Sequence, residues 1–96
     1  MKGWSAASKA VAVTGAASGI GRSLCHALAK AGARSILAID RDLSGAQETV
    51  QEILSLQKQG APCTMVAAPC DVADSEGLRT LLRSAPPLDL FAETPV

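Results

Sequence analysis

The 96 residues contain no tyrosine, one phenylalanine, one tryptophan and one histidine. Chemistry that needs a phenol is closed to this chain, and His26 is its sole imidazole. Neither sign of charge is in excess, since nine Lys and Arg balance nine Asp and Glu, and no basic cluster occurs. A polyanion finds no electrostatic drive here, which sets aside nucleic acid and membrane surfaces as partners. No stretch approaches the roughly 18 apolar residues of a membrane span. The opening MKGWSAASKA lacks the apolar core of about 7–15 residues that a secretory signal needs. Cys25, Cys63 and Cys70 follow neither CxxC nor zinc-ligand spacing, and an odd number cannot pair fully within the chain. Each is expected to be a small buried hydrophobe, in a reducing, cytoplasmic setting.

What is present is apolar: 48% of the residues, enough for one domain spanning residues 1–96 with a single small core. Ala10 to Thr14 is an apolar run without polar alternation, as suits a strand buried on both faces. Ile20, Leu24, Ala27, Leu28 and Ala31 then recur at helical spacing, with Gly32 as a stop. A second strand is expected over Ser35 to Ile39. A second helix follows, with Ser44 and Gln47 as its capping box and Ala46, Val50, Ile53 and Leu54 as its apolar stripe, closed by Gly60 and Pro62. Thr64 to Ala68 reads as a third strand, Asp74 or Ser75 as the cap of a helix carrying Leu78, Leu81 and Leu82, and Leu88 to Ala92 as a last short strand. Strands that alternate with helices imply right-handed crossovers and a parallel sheet of Rossmann type, because a parallel neighbour is reached only by a long connection.

Between the first strand and first helix lies TGAASGIG, Thr14 to Gly21. There a glycine-rich turn opens a helix whose unpaired N–H groups and dipole favour an anion. Glycine removes the Cβ that would hold a pyrophosphate off the backbone. The spacing is GxxxGxG, not the dinucleotide fingerprint GxGxxG, since Leu24 stands where the third glycine belongs. Asp40 ends the second strand, 19 residues beyond Gly21, where an acid accepts both hydroxyls of an adenine ribose. Asp71 stands just past the third strand. All three features fall at carboxyl ends of parallel strands, the side on which such sheets bind ligands.

TGAASGIG, Asp40 in AIDRD, and CDV at Cys70 to Val72 resemble the N-terminal cofactor-binding half of the short-chain dehydrogenase/reductase family, over about residues 8 to 92. The resemblance implies an NAD(P)-binding Rossmann fold cut to four strands in the order 3-2-1-4 with three helices. It implies that Gly15, Ser18, Gly19, Ile20 and Gly21 line the phosphates, that Asp40 and Arg41 meet the ribose, and that Asp71 and Val72 meet the adenine. Asp40 favours NAD over NADP, because a carboxylate repels a 2′-phosphate and hydrogen-bonds a 2′-hydroxyl. Arg41 pulls the other way, and Ser18 stands where NADP users carry a base.

The family's hydride transfer uses the Tyr and Lys of a YxxxK motif, with a Ser, and no tyrosine exists here. An NNAG-like motif would follow the fourth strand, where this chain reads Glu93, Thr94, Pro95 and Val96. His26 lies off the apolar stripe and is expected to be a solvated surface residue. The expectation is therefore a cofactor site without a catalytic or metal site: the partial cofactor domain of an alcohol- or carbonyl-linked oxidoreductase, or alternatively a non-catalytic dinucleotide-binding or interaction module. A methyltransferase would also bind an adenosine ribose, but it wants an acid shortly before GxGxG, where Val13 and Thr14 stand. With one helix left for the second sheet face and the fourth strand at an edge, marginal stability and self-association through that edge are expected.

Overall fold

The computed structural model describes residues 8–57, 63–71, 73–84 and 87–92. Its elements run β1 (Ala10–Thr14), α1 (Gly19–Lys30), β2 (Ser35–Asp40), α2 (Leu43–Leu56), β3 (Thr64–Pro69), α3 (Ser75–Ser84) and β4 (Leu90–Ala92). The four strands form one parallel sheet in the order β3-β2-β1-β4. β1 is buried along its whole length, as its unbroken apolar run requires of a strand with helices on both faces. The Gly60 and Pro62 stop falls outside the described residues, as do Val72 and Glu93 to Val96.

The core lies between the sheet and the α1–α2 layer, where Cys25, Leu28, Val50 and Ile53 meet Val11, Val13, Ile36 and Ala38. The opposite face is thinly covered. α3 has no buried residue, and it borders a groove of about 300 Å³ lined by Leu37, Val66, Ala68 and Leu88.

Several expectations need correction. The inward face of α1 is Gly21, Cys25 and Leu28, while Ile20 is 65% exposed. Gly21 has to face the end of β1, and that rotation turns Ile20 outward. In α2 the buried set is Ala46, Thr49, Val50 and Ile53, whereas Leu54 is exposed. Its cap is Asp42, whose carboxylate accepts the Gly45 N–H at 3.0 Å; Ser44 is already inside the helix. α3 is capped by Asp74, which accepts the Gly77 N–H at 3.0 Å. Cys25 and Cys63 are buried as expected, but Cys70, at the open end of β3, is half-exposed. His26 stands at the surface, where its Nε2 pairs with Glu52 of α2, beside Arg22. Among the described residues, no helix is long and apolar enough to cross a membrane.

Candidate functional site

The register of the sheet brings three chain segments to one edge. Thr14 lies opposite Ile39, and Asp40 opposite Pro69, so the glycine turn, Asp40 and the Cys70–Asp71 segment leave the carboxyl ends of adjacent strands. The Cys70 N–H donates to the Asp40 carbonyl at 3.2 Å, continuing that alignment one residue past β3.

The turn after β1 needs glycine for two different reasons. Gly15 and Gly19 have φ of 69° and 59°, in the left-handed region where a Cβ clashes with the backbone. A Cβ on Gly19 would otherwise meet nothing within 4 Å, so open space lies beside it. Gly21 has an ordinary backbone, but a Cβ there would overlap the carbonyl of Gly15. The turn and the first turn of α1 therefore touch main chain to main chain.

The start of α1 is left open to an outside acceptor. Ser18 is its N-cap, yet the Ser18 side chain makes no capping hydrogen bond, and no acid stands in the first turn. The leading N–H groups of a helix have no partners within it, and Ser18, Gly19 and Ile20 are exposed. The residues present thus fit an anion: bare backbone, uncapped donors and no competing carboxylate on the helix.

Asp40 is half-buried, and its carboxylate joins two segments. Oδ2 accepts the Ala17 N–H at 3.0 Å and Oδ1 accepts the Asp42 N–H at 2.9 Å. A carboxylate has about four acceptor positions, so room for further donors remains on its exposed side. Arg41 is exposed beside it. Asp71 is exposed as well, and its Oδ1 accepts the Ala73 N–H at 2.9 Å, turning the chain toward α3. The structure thus gathers Gly15, Ser18, Gly19, Ile20, Gly21, Asp40, Arg41 and Asp71 along one edge, while Val72 is outside the described residues.

Sequence reasoning passed over Thr49. It is fully buried on α2, and its hydroxyl donates to the Ala16 carbonyl of the glycine turn at 2.7 Å. The available signal was a hydroxyl three residues after Ala46 and four before Ile53, within an apolar stripe. Cys70, bordering the same edge, has its thiol pushed up from the ordinary value by burial and by Asp74 and Asp71. Among the described residues no group of His, Cys, Asp and Glu could hold a metal ion.

A family model described as short chain dehydrogenase matches residues 9–91. The chain is similar to a citronellol catabolism dehydrogenase from Pseudomonas aeruginosa PAO1, with 30% identity and a TM-score of 0.66 over 80% of this chain and 30% of that one. A 3-oxoacyl-[acyl-carrier protein] reductase with bound NAD from Brucella melitensis matches at 30% identity and TM-score 0.68, over 82% of this chain and 28% of that one. A hydroxysteroid dehydrogenase from Escherichia coli matches at 29% identity and TM-score 0.69, over 82% of this chain and 30% of that one. The chain thus spans less than a third of the length of each of these three structures.

Proposed function

The chain belongs to the short-chain dehydrogenase family, and from that membership we propose that its open strand edge holds the adenosine diphosphate half of NAD. In this reading Gly15, Ser18, Gly19, Ile20 and Gly21 line the pyrophosphate. Asp40 and Arg41 meet the adenine ribose, and Asp71 and Val72 border the adenine. The observation that carries the reading is the uncapped start of α1 beside a carboxylate with acceptor positions to spare. An anion and a pair of hydroxyls are the ligand parts those two features take.

NAD rather than NADP follows from charge. A 2′-hydroxyl donates to Asp40 in a charge-assisted bond of about 1.5–3 kcal/mol, whereas a 2′-phosphate beside it is repelled. The nicotinamide of such a cofactor exchanges a hydride, and the reaction class proposed is transfer between NAD and an alcohol or carbonyl compound. These 96 residues bind and orient the cofactor; without a tyrosine they supply no phenolic acid to that reaction. A cytoplasmic location belongs to the proposal and is supported by three free cysteines.

Self-association completes the reading. β4 pairs only with β1 among the described strands, and Leu90 and Phe91 stand exposed, so a second copy adds along that edge. Sedimentation that gives a monomer at all concentrations would remove this part.

Calorimetric titration with NAD and NADP tests the cofactor assignment. NAD binds about 10- to 150-fold more tightly than NADP, as one such hydrogen bond implies, and Asp40→Ala abolishes the preference. Failure of the wild-type chain to bind either dinucleotide, or a preference that survives Asp40→Ala, would overturn it.

A further inference from the structure

The peptide between Ala16 and Ala17 is held from both sides. Its carbonyl accepts the Thr49 hydroxyl at 2.7 Å, and its N–H donates to Asp40 Oδ2 at 3.0 Å. One residue earlier, the Ala16 N–H donates to the Ile39 carbonyl at 3.1 Å. Three successive polar groups of the glycine turn are therefore anchored, two on β2 and one on α2. Ala17 is also backed by α2, since a Cβ on Gly45 would lie 2.7 Å from the Ala17 Cβ.

We propose that Thr49 is a positioning residue for the phosphate-binding turn, its hydroxyl setting the plane of the Ala16–Ala17 peptide and through it the direction of the N–H groups that follow. Packing alone does not account for a threonine here. Val fills the same volume, and a buried hydroxyl costs free energy unless it is bonded. Within α2 the hydroxyl has its own i−4 carbonyl, Gly45, at 3.2 Å, but the Ala16 carbonyl is nearer at 2.7 Å. A hydroxyl has one proton to donate, and the shorter contact takes it. Its removal strands the Ala16 carbonyl in the core. The peptide is then held by its Asp40 bond alone and tilts about it, and the donors at Ser18, Gly19 and Ile20 that follow lose their fixed direction. Asp40 keeps the bond from the Asp42 N–H to its Oδ1, which holds it beside the ribose position and preserves the adenosine end.

This inference rests on the reading of the turn as a pyrophosphate site, and the test separates the two. ADP and adenosine are titrated into the wild-type chain, Thr49→Val and Thr49→Ser, followed by amide chemical shifts. Thr49→Val weakens ADP about tenfold, the usual effect of stranding one buried acceptor. It leaves adenosine unchanged, and Thr49→Ser restores ADP. Equal weakening of both ligands, or of neither, overturns the positioning role while the site stands. A wild-type chain that binds no ADP overturns the site itself and this inference with it. Amide hydrogen exchange needs no ligand: the Ala17 N–H exchanges faster in Thr49→Val than in wild type or Thr49→Ser, and equal rates overturn the proposal. Should Thr49→Val not fold, Thr49→Ala, which also removes the donor, gives the same contrast in both measurements.

Discussion

Gly21 and Gly15 meet through backbone alone: a Cβ on Gly21 would occupy the space of the Gly15 carbonyl oxygen. Because the obstacle is main chain at the end of a fully buried strand, it cannot move aside as a flexible side chain would. Gly21→Ala is expected to cost about 3 kcal/mol or more in urea denaturation. Gly19→Ala meets no atom and carries only left-handed backbone strain, about 1–2 kcal/mol. A Gly21→Ala chain as stable as Gly19→Ala would contradict the close approach.

Asp42 and Ser44 are two residues apart and differ in role. Asp42 accepts the Gly45 N–H and begins α2, while the Ser44 side chain lies exposed within it. Asp42→Ala should destabilise the fold by about 1 kcal/mol, and Ser44→Ala by less than about 0.5 kcal/mol. Equilibrium denaturation of both variants reads the difference, and the reverse order would return the cap to Ser44.

Alkaline stability depends on Cys25. Burial, and to a lesser extent Cys63, push its thiol up to about 12, against about 8.5 for an exposed thiol. The folded state thus holds a proton that the unfolded state releases. This contribution is complete below the ordinary thiol range and is lost as pH rises from there toward 12. Between neutral pH and pH ~10 the denaturation midpoint falls, and Cys25→Ala flattens the slope, leaving the smaller share due to Cys63, whose thiol burial also raises. An unchanged slope would exclude the thiol as its source.

At the acid end the relevant group is Glu52. The hydrogen bond from His26 is the largest influence and, with the charges of Arg22 and His26 and the Arg22 hydrogen bond, holds its carboxyl below the ordinary value, although desolvation, second in size, opposes it. The stabilisation is present above the ordinary carboxylate range and is lost as pH falls through the depressed value. Glu52 is solvent-exposed, so the effect is modest and screened by salt. The melting temperature should fall less steeply below about pH 4.3 in Glu52→Gln than in wild type. That difference should vanish at high salt; its persistence there would point to another group.

The alternation of strands and helices was legible because the strands are short apolar runs, the first closed by Gly15 and the second by Asp40. Strand ends in turn place Gly15, Asp40 and Asp71 on one side of the sheet from sequence alone. The rotation of α1 was not legible from hydrophobicity, which favoured Ile20; backbone contact at Gly21 overrides a side-chain preference that local pattern counts alone. The cap of α2 was misread because Ser44 and Gln47 satisfy the spacing of a capping box, while the path out of β2 starts the helix at Leu43. Thr49 was invisible for a different reason. Its partner Ala16 lies 33 residues away, and a threonine inside an apolar stripe carries no mark of the carbonyl it serves.

The anchored peptide at Ala16–Ala17 also has a thermodynamic consequence. A flexible glycine-rich segment would lose conformational entropy at the moment it closed on a ligand, and its affinity would fall by that amount. Here the ordering is completed when β1, β2 and α2 assemble, so the loss is charged to folding. At the proposed site a ligand would then meet a turn already anchored at Ala16 and Ala17.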